Sequence, residues 1–200
     1  MVDLFNYTRR ASSVAHIGAL DLGGDNPIRI QSMTTTNTND TEACVRQAEE
    51  IIKAGGELVR FTTQGSREAE NMKNINAGIR ADGYQTPLVA DVHFNPNVAD
   101  VAALYCEKVR VNPGNYVDPA RKFIKQEYTD EEYAHELQKI EERFVPFLNI
   151  CKENHTAIRI GVNHGSLSDR IRNRYGDTPE GIVESCLEFL RICKKENFHD

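Results

Sequence analysis

The sequence predicts an α/β fold of the (β/α)8-barrel type, present as about five strand–helix units behind a short N-terminal hairpin. Three observations predict it. Short apolar runs alternate with amphipathic stretches, the pattern of a parallel sheet joined by crossover helices. Polar residues collect at the carboxyl ends of those runs, where such sheets carry their chemistry. The units stop at about five, whereas a closed barrel needs eight. An open five-stranded sheet is the competing reading; part of a larger barrel is the favoured one.

Residues 1–26 read as an N-terminal segment whose hairpin, roughly Val14 to Leu22, turns near Gly18. Residues 27–200 read as the partial barrel, with an excursion at 116–144. Ile28-Arg29-Ile30-Gln31 is the first expected strand. A helix from about Asp40 to Ala54 follows, with Cys44, Ala48, Ile51 and Ile52 on one face and Gly55 as its stop. Leu58 to Thr62 is the second strand. Ser66 is the expected cap of a helix burying Met72, Ile75 and Ile79 and ending at Gly83. Pro87 to Asp91 is the third strand, followed by a helix from about Pro96 to Tyr105. Lys108 to Val111 is the fourth.

Beyond it, Thr129-Asp130-Glu131-Glu132 has the form of a capping box, and Tyr133, Leu137, Ile140 and Phe144 keep helical spacing. Pro146 should kink or restart that helix, because proline has no N–H to continue the ladder. Ala157 to Val162 is the fifth strand. Thr178 and Pro179 open a last helix with Ile182, Cys186, Leu190 and Cys193 on a shared face.

A net charge of −6 argues against a general nucleic-acid or membrane-surface binder, since both targets select basic surfaces. No stretch reaches the apolar length that crosses a bilayer. The start, Met1 to Tyr7, has no basic region followed by an apolar run, so no secretory signal is expected. Cys44, Cys106, Cys151, Cys186 and Cys193 show no Cys-x-x-Cys spacing, which points to reduced, buried thiols rather than a metal site.

Each strand end presents polar groups: Gln31, then Arg60, then Asp91 and His93, then Arg110 and Asn112, then Arg159, Asn163 and His164. Arg60, Arg110 and Arg159 lie within strands, where an unpaired guanidinium in a dry core is unfavourable. Three on separate strands suggest a pocket for a multiply anionic ligand, because guanidinium forks match phosphate oxygens. Asn112 and Asn163 add neutral donors, and backbone amides near Gly114 and Gly165 would complete an anion cradle. Asp91 and His93, two apart, share one face of an extended strand. They fit an acid–base or orienting role, and pairing of Asp91 with an arginine is compatible with it. A two-ligand metal site there lacks a third ligand. Arg170, Arg172 and Arg174 read as a solvated surface run, or alternatively as a lid over an anion.

These segments, in order, carry a resemblance. Ile30-Gln31-Ser32-Met33-Thr34, Leu58-Val59-Arg60, Pro87 through Phe94, Arg110-Val111-Asn112-Pro113-Gly114-Asn115 and Arg159 through Leu167 together resemble the barrel of the 4-hydroxy-3-methylbut-2-enyl diphosphate synthases. The resemblance covers nearly the whole chain, and stretch 116–144 looks like the longer plant-type and bacterial members. It implies an iron–sulfur oxidoreductase of non-mevalonate isoprenoid biosynthesis, which reductively opens 2-C-methyl-D-erythritol 2,4-cyclodiphosphate. It further implies that Arg60, Arg110 and Arg159 grip the diphosphate, helped by Asn112, Asn163, Gln31 and His164, with Asp91 and His93 as the catalytic pair beside the carbon skeleton. Ferredoxin or flavodoxin would be the electron donor, a homodimer is a possible assembly, and the compartment is the bacterial cytoplasm or the plastid stroma.

The departure from the family is as clear. Its 4Fe-4S cluster is held by three cysteines and a glutamate of a C-terminal domain, and none of the five cysteines here matches those ligands. A phosphate-binding lysine belongs to barrel strands beyond this sequence. The expectation is therefore a diphosphate-binding part that is inactive alone and completed by the cluster domain. Two other readings compete: a dihydropteroate-synthase-like barrel, and a stand-alone phosphate-binding module.

Overall fold

The computed structural model describes residues 10–118 and 127–200. Strands β1 (Val14–Ile17) and β2 (Leu20–Gly23) form an antiparallel hairpin, turned at Gly18 with φ +57°. The main sheet contains β3 (Gln31–Met33), β4 (Leu58–Thr63), β5 (Leu88–Val92), β6 (Lys108–Val111) and β7 (Ala157–Ile160). All its pairings are parallel, and the strand order is β3-β4-β5-β6-β7. A doubly wound sheet reverses its order at a switch point. Here the order never reverses, which is how a barrel grows.

Helices α1 (Thr41–Lys53), α2 (Ser66–Ala81), α3 (Pro96–Ala102), α4 (Asp130–Asn154), α5 (Asp169–Tyr175) and α6 (Pro179–Lys195) connect or follow these strands. Alternation along the strands separates two faces. Val59, Phe61, Leu88, Ala90, Val92, Val109 and Val111 point to the helices and build the main core with Met72, Ile75, Phe144, Phe147 and Phe189. The opposite, inner face carries Arg60, Asp91, Lys108, Arg110 and Arg159. At its amino-terminal end a smaller apolar cluster of Leu58, Val89 and Ala157 is plugged by Ile17 of the hairpin. The hairpin is thus a stopper for one end of the inner face, leaving the carboxyl end as the mouth.

Several boundaries differ from the sequence expectation. The first sheet strand starts at Gln31, not Ile28, and Ile28 and Ile30 are exposed. Glu57 takes the donor side of this run: its carboxylate accepts from the Ile30 N–H at 2.8 Å and from Arg29 at 2.9 Å, while the Ile30 carbonyl accepts from the Leu58 N–H at 3.1 Å. Gly65, not Ser66, is the N-cap of α2, and no side chain caps it. The third helix ends at Ala102 rather than Tyr105. The capping box at Thr129 and Glu132 forms in full. Pro146 does not restart α4: the ring lies on the solvent side, as does Glu142, whose carbonyl loses its helical partner and is free to bind water.

The Arg170 run lies in a short helix, Asp169–Tyr175, with Ser168 accepting from the Ile171 N–H at 3.3 Å. The buried face of α6 is Gly181, Ser185, Glu188, Phe189, Ile192 and Cys193, so Leu190 points outward, 44% exposed. Of the 116–144 stretch, residues 119–126 lie outside the described residues, as do residues 1–9 of the N-terminal segment.

Candidate functional site

Strand register fixes the site. Thr62, Asp91, Arg110 and Arg159 form one rung across β4 to β7. Arg60, Val89, Lys108 and Ala157 form the rung beneath. Arg60 is therefore one rung deeper than the other two arginines, not level with them. It reaches up, and its Nη2 donates to Asp91 Oδ2 at 2.7 Å. From the other side Arg110 Nη1 donates to Asp91 Oδ1 at 3.1 Å, and its Nη2 donates to the Gly161 carbonyl at 2.6 Å. One buried carboxylate thus holds two guanidinium groups.

Burial alone works against ionisation of Asp91. The His93 contact and the charges of Arg60 and Arg110 outweigh it, holding the carboxyl below its ordinary value. Arg110 shifts downward through burial and the like charges of Arg60 and Arg159, partly offset by Asp91, and remains a cation. His93 Nε2 sits 3.1 Å from Arg110 Nη1 and 3.4 Å from Asp91 Oδ1. A guanidinium only donates, so neutral His93 accepts from Arg110 through Nε2. Protonated, the same nitrogen donates to Asp91. The pair can hold or pass one proton without moving far.

Gly161 permits this arrangement. A Cβ there would lie 1.9 Å from Arg110 Nε, inside the guanidinium itself. Gly114 plays the same part between loops, since its Cβ would meet the Ser166 carbonyl oxygen at 1.7 Å.

Other expected site residues fall elsewhere. Arg159 shares the Asp91–Arg110 rung, but its exposed side chain has no carboxylate partner among the described residues and lines a cavity of about 400 Å³ toward the hairpin, with Ile17, Gln31, Leu58 and Lys108. Gln31 pairs with Leu58 at the amino-terminal end of the face, so it is remote from the mouth; the late start of β3 put it there. Asn112 accepts from the Gly114 N–H at 3.2 Å and donates to Ser166 Oγ at 2.8 Å. Asn163 accepts from the Gly165 N–H at 2.9 Å. Both glycine amides are thereby engaged by asparagine caps, which contradicts the expected backbone cradle. His164 is exposed, and its Nε2 contacts the Asp177 carboxylate.

Lys108 was passed over as a strand residue. It is 8% exposed, forms no ion pair among the described residues, and shifts downward through burial and the Arg159 charge. Its signal in the sequence was the Lys-x-Arg spacing of β6, which puts it beneath Arg110 on one face. Four cationic strand residues (Arg60, Lys108, Arg110, Arg159) therefore share the inner face with one carboxylate, Asp91.

The Arg170 run is not uniformly solvated: Arg170 is buried, whereas Arg174 is exposed. Arg170 is 2% exposed and donates to both Glu188 oxygens at 2.7 Å and to Asp118 Oδ2 at 3.1 Å. Tyr133 Oη donates to the same Glu188 at 2.5 Å, beneath the guanidinium. Arg172 pairs with Asp177 and Arg174 with Asp130. This network ties the segment after β6 to α5, and so steadies the loops around the mouth.

The cysteines do not form a cluster site. Cys44, Cys106, Cys151 and Cys193 are buried, Cys186 is half-buried, and burial raises every one of these thiols. Among the described residues no three His, Cys, Asp or Glu side chains are placed to hold a metal ion. No helix among them is long and apolar enough to cross a membrane.

Fold and charge together define a class: a parallel β/α barrel portion with excess positive charge on its inner face. The chain belongs to the family of the GcpE TIM-barrel domain, whose model matches residues 12–200. It is 76% identical over 199 residues to the 4-hydroxy-3-methylbut-2-en-1-yl diphosphate synthase (flavodoxin) of Phocaeicola vulgatus, covering all of this chain and 32% of that protein. Identity to the synthases of the same name from Bacteroides thetaiotaomicron and Akkermansia muciniphila is 75% and 51%, with 100% and 98% of this chain covered, and 32% and 33% of theirs. The chain spans about a third of the length of the curated relatives it matches.

Proposed function

We propose that this chain is the diphosphate-binding barrel part of an enzyme that reductively opens 2-C-methyl-D-erythritol 2,4-cyclodiphosphate to 4-hydroxy-3-methylbut-2-enyl diphosphate, an isoprenoid precursor. The observation that carries the reading is the shared carboxylate. Arg60 and Arg110 are pre-oriented by Asp91, yet the inner face keeps a surplus of positive charge. A diphosphate has the charge and oxygen spacing to take that surplus. Arg60 and Arg110 hold one side of it, and Arg159, on the same rung as Arg110 but resting toward the hairpin, turns up from the edge strand to meet it. Lys108 adds charge from below. Asn112 and Asn163 shape the loops rather than bind, and Asp91 with His93 keeps a proton within reach of the ligand.

The residues present do not fit a 4Fe-4S cluster, since the thiols are largely buried and, among the described residues, no three metal-ligating side chains converge. The cluster and its ligands belong to the remainder of the enzyme, and the relatives' names support flavodoxin as its reductant. Unpaired thiols, bacterial relatives and a flavodoxin partner support a cytoplasmic setting.

Calorimetry of the cyclic diphosphate against the intact protein tests the reading. Arg60→Ala, Arg110→Ala and Arg159→Ala should each weaken binding by roughly 1–3 kcal/mol, the range for a lost charge-assisted bond. Unchanged affinity in all three variants would retire the pocket.

A further inference from the structure

Three non-glycine residues among those described have positive φ: Phe94, His155 and Asn197. His155 and Asn197 end or follow helices α4 and α6, where left-handed backbone is ordinary. Phe94 has no such reason. It is the centre of a three-residue turn, closed by the Asn95 N–H donating to the His93 carbonyl at 2.8 Å. With φ at 63° this is the strained hand of the γ-turn, and a bulky side chain there is an outlier.

The turn is pinned from two sides. Asn95 caps α3 by accepting from the Asn97 N–H at 3.0 Å, and the Phe94 N–H reaches Asn115 Oδ1 at 3.5 Å. Its effect is on direction. In a continuing strand residue 94 would follow Val92 into the helix-facing core. Instead the ring stands beyond the carboxyl end of β5, 63% exposed, with its centroid 5.8 Å from the His93 ring and its other side on a cavity lined by Asn115, Tyr116 and Arg143. His93 in turn touches Arg110. The fold gains little from a strained, exposed phenyl ring, so its benefit lies in something that arrives.

We propose that Phe94 is a specificity-determining residue that covers the apolar carbon skeleton of the ligand whose phosphoryl groups the arginines hold. The inference rests on the diphosphate reading above and adds to it the side of the mouth that recognises carbon. Arginine and lysine on the inner face cannot distinguish one diphosphate from another. A phenyl ring beside His93 does so by removing methyl and methylene surface from water.

The test uses the intact protein, calorimetry, and two ligands: the cyclic diphosphate and inorganic pyrophosphate. Phe94→Ala should weaken the cyclic ligand by roughly tenfold or more while pyrophosphate changes by less than about twofold, and Phe94→Leu should keep most of the affinity. Phe94→Gly should show the same selective loss with amide-exchange protection of β5 at or above the parent level, because glycine relieves the turn. Equal losses for both ligands would show that the turn merely shapes the arginines, and an unchanged cyclic diphosphate would show that the ring covers nothing. Either result overturns the proposal. Arg110→Ala run alongside separates the deeper failure: if it weakens neither ligand, the diphosphate reading falls and takes this inference with it.

Discussion

Asp91 makes opposite demands on stability and on binding, and Asp91→Asn separates them. The carboxylate is 2% exposed and receives Arg60 at 2.7 Å and Arg110 at 3.1 Å. Asparagine keeps the shape but removes the charge and turns one acceptor into a donor facing a guanidinium. Breaking a fully buried pair costs about 3–5 kcal/mol and an exposed one under about 1 kcal/mol. The Arg110 side chain is 9% exposed and that of Arg60 25%, which places the loss at about 2–3 kcal/mol. Amide exchange of β4 to β6 in the intact protein reads that figure as easier local opening.

Binding should move the other way. A phosphoryl group seated about 6 Å from Asp91 feels its charge at roughly 3 kcal/mol per unit charge for an effective dielectric of about 20. Screening at the open mouth reduces this, leaving pyrophosphate on the order of tenfold tighter in the variant. The pH dependence has a definite sign. Because the folded carboxyl titrates below its ordinary value of 3.8, its stabilisation is complete above that value and is lost as pH falls through the lower, folded value. Asp91→Asn should therefore flatten the exchange-derived stability profile of these strands below about pH 4. A variant with parent-like protection and no gain for pyrophosphate would refute the shared-carboxylate argument.

Two further outcomes follow from contacts nearby. Gly161→Ala places a methyl 1.9 Å from Arg110 Nε, so the guanidinium must leave and calorimetry should show a loss of cyclic diphosphate affinity close to that of Arg110→Ala. Arg170→Met leaves Glu188 and Asp118 buried without their cation; local exchange of α5 and α6 should fall by about 3–5 kcal/mol, and Glu188→Met added to it should restore part of the loss.

Much of this architecture was legible because β4, β5 and β6 need opposite chemistry on their two faces. Val59 and Phe61 face helices while Arg60 faces inward, and that alternation is visible in one dimension. What was hidden depends on partners far along the chain. The Arg170 run looked solvated because its acids, Glu188 and Asp118, lie 18 and 52 residues away. The same pair misled the reading of α6. Glu188 looks polar, so periodicity put the buried face on Ile182, Cys186 and Leu190, whereas Arg170 neutralises Glu188 and lets it turn inward beside Phe189. One unseen ion pair explains both corrections. At β3 the late start has a similar source, because a distant carboxylate, Glu57, takes the Ile30 N–H in place of a strand partner.

The inner face also shows why fold and ligand are difficult to separate in this protein. An apolar barrel interior would be more stable, since desolvating charges usually exceeds the gain from pairing them. This face instead combines Asp91 with Arg60, Lys108, Arg110 and Arg159, and only the hairpin end around Ile17, Leu58 and Val89 follows the apolar rule. Cations gathered around a single carboxylate repel one another, and that repulsion already contributes to the downward shifts of Lys108 and Arg110. On the proposed reading, an arriving diphosphate would remove the repulsion, so part of its binding energy would be relief of a tension built into the sheet. By linkage the same ligand must stabilise the strands that hold it. On that reading the polar rungs are the part of the fold that the proposed ligand would complete, while the apolar end and helix-facing core hold the sheet.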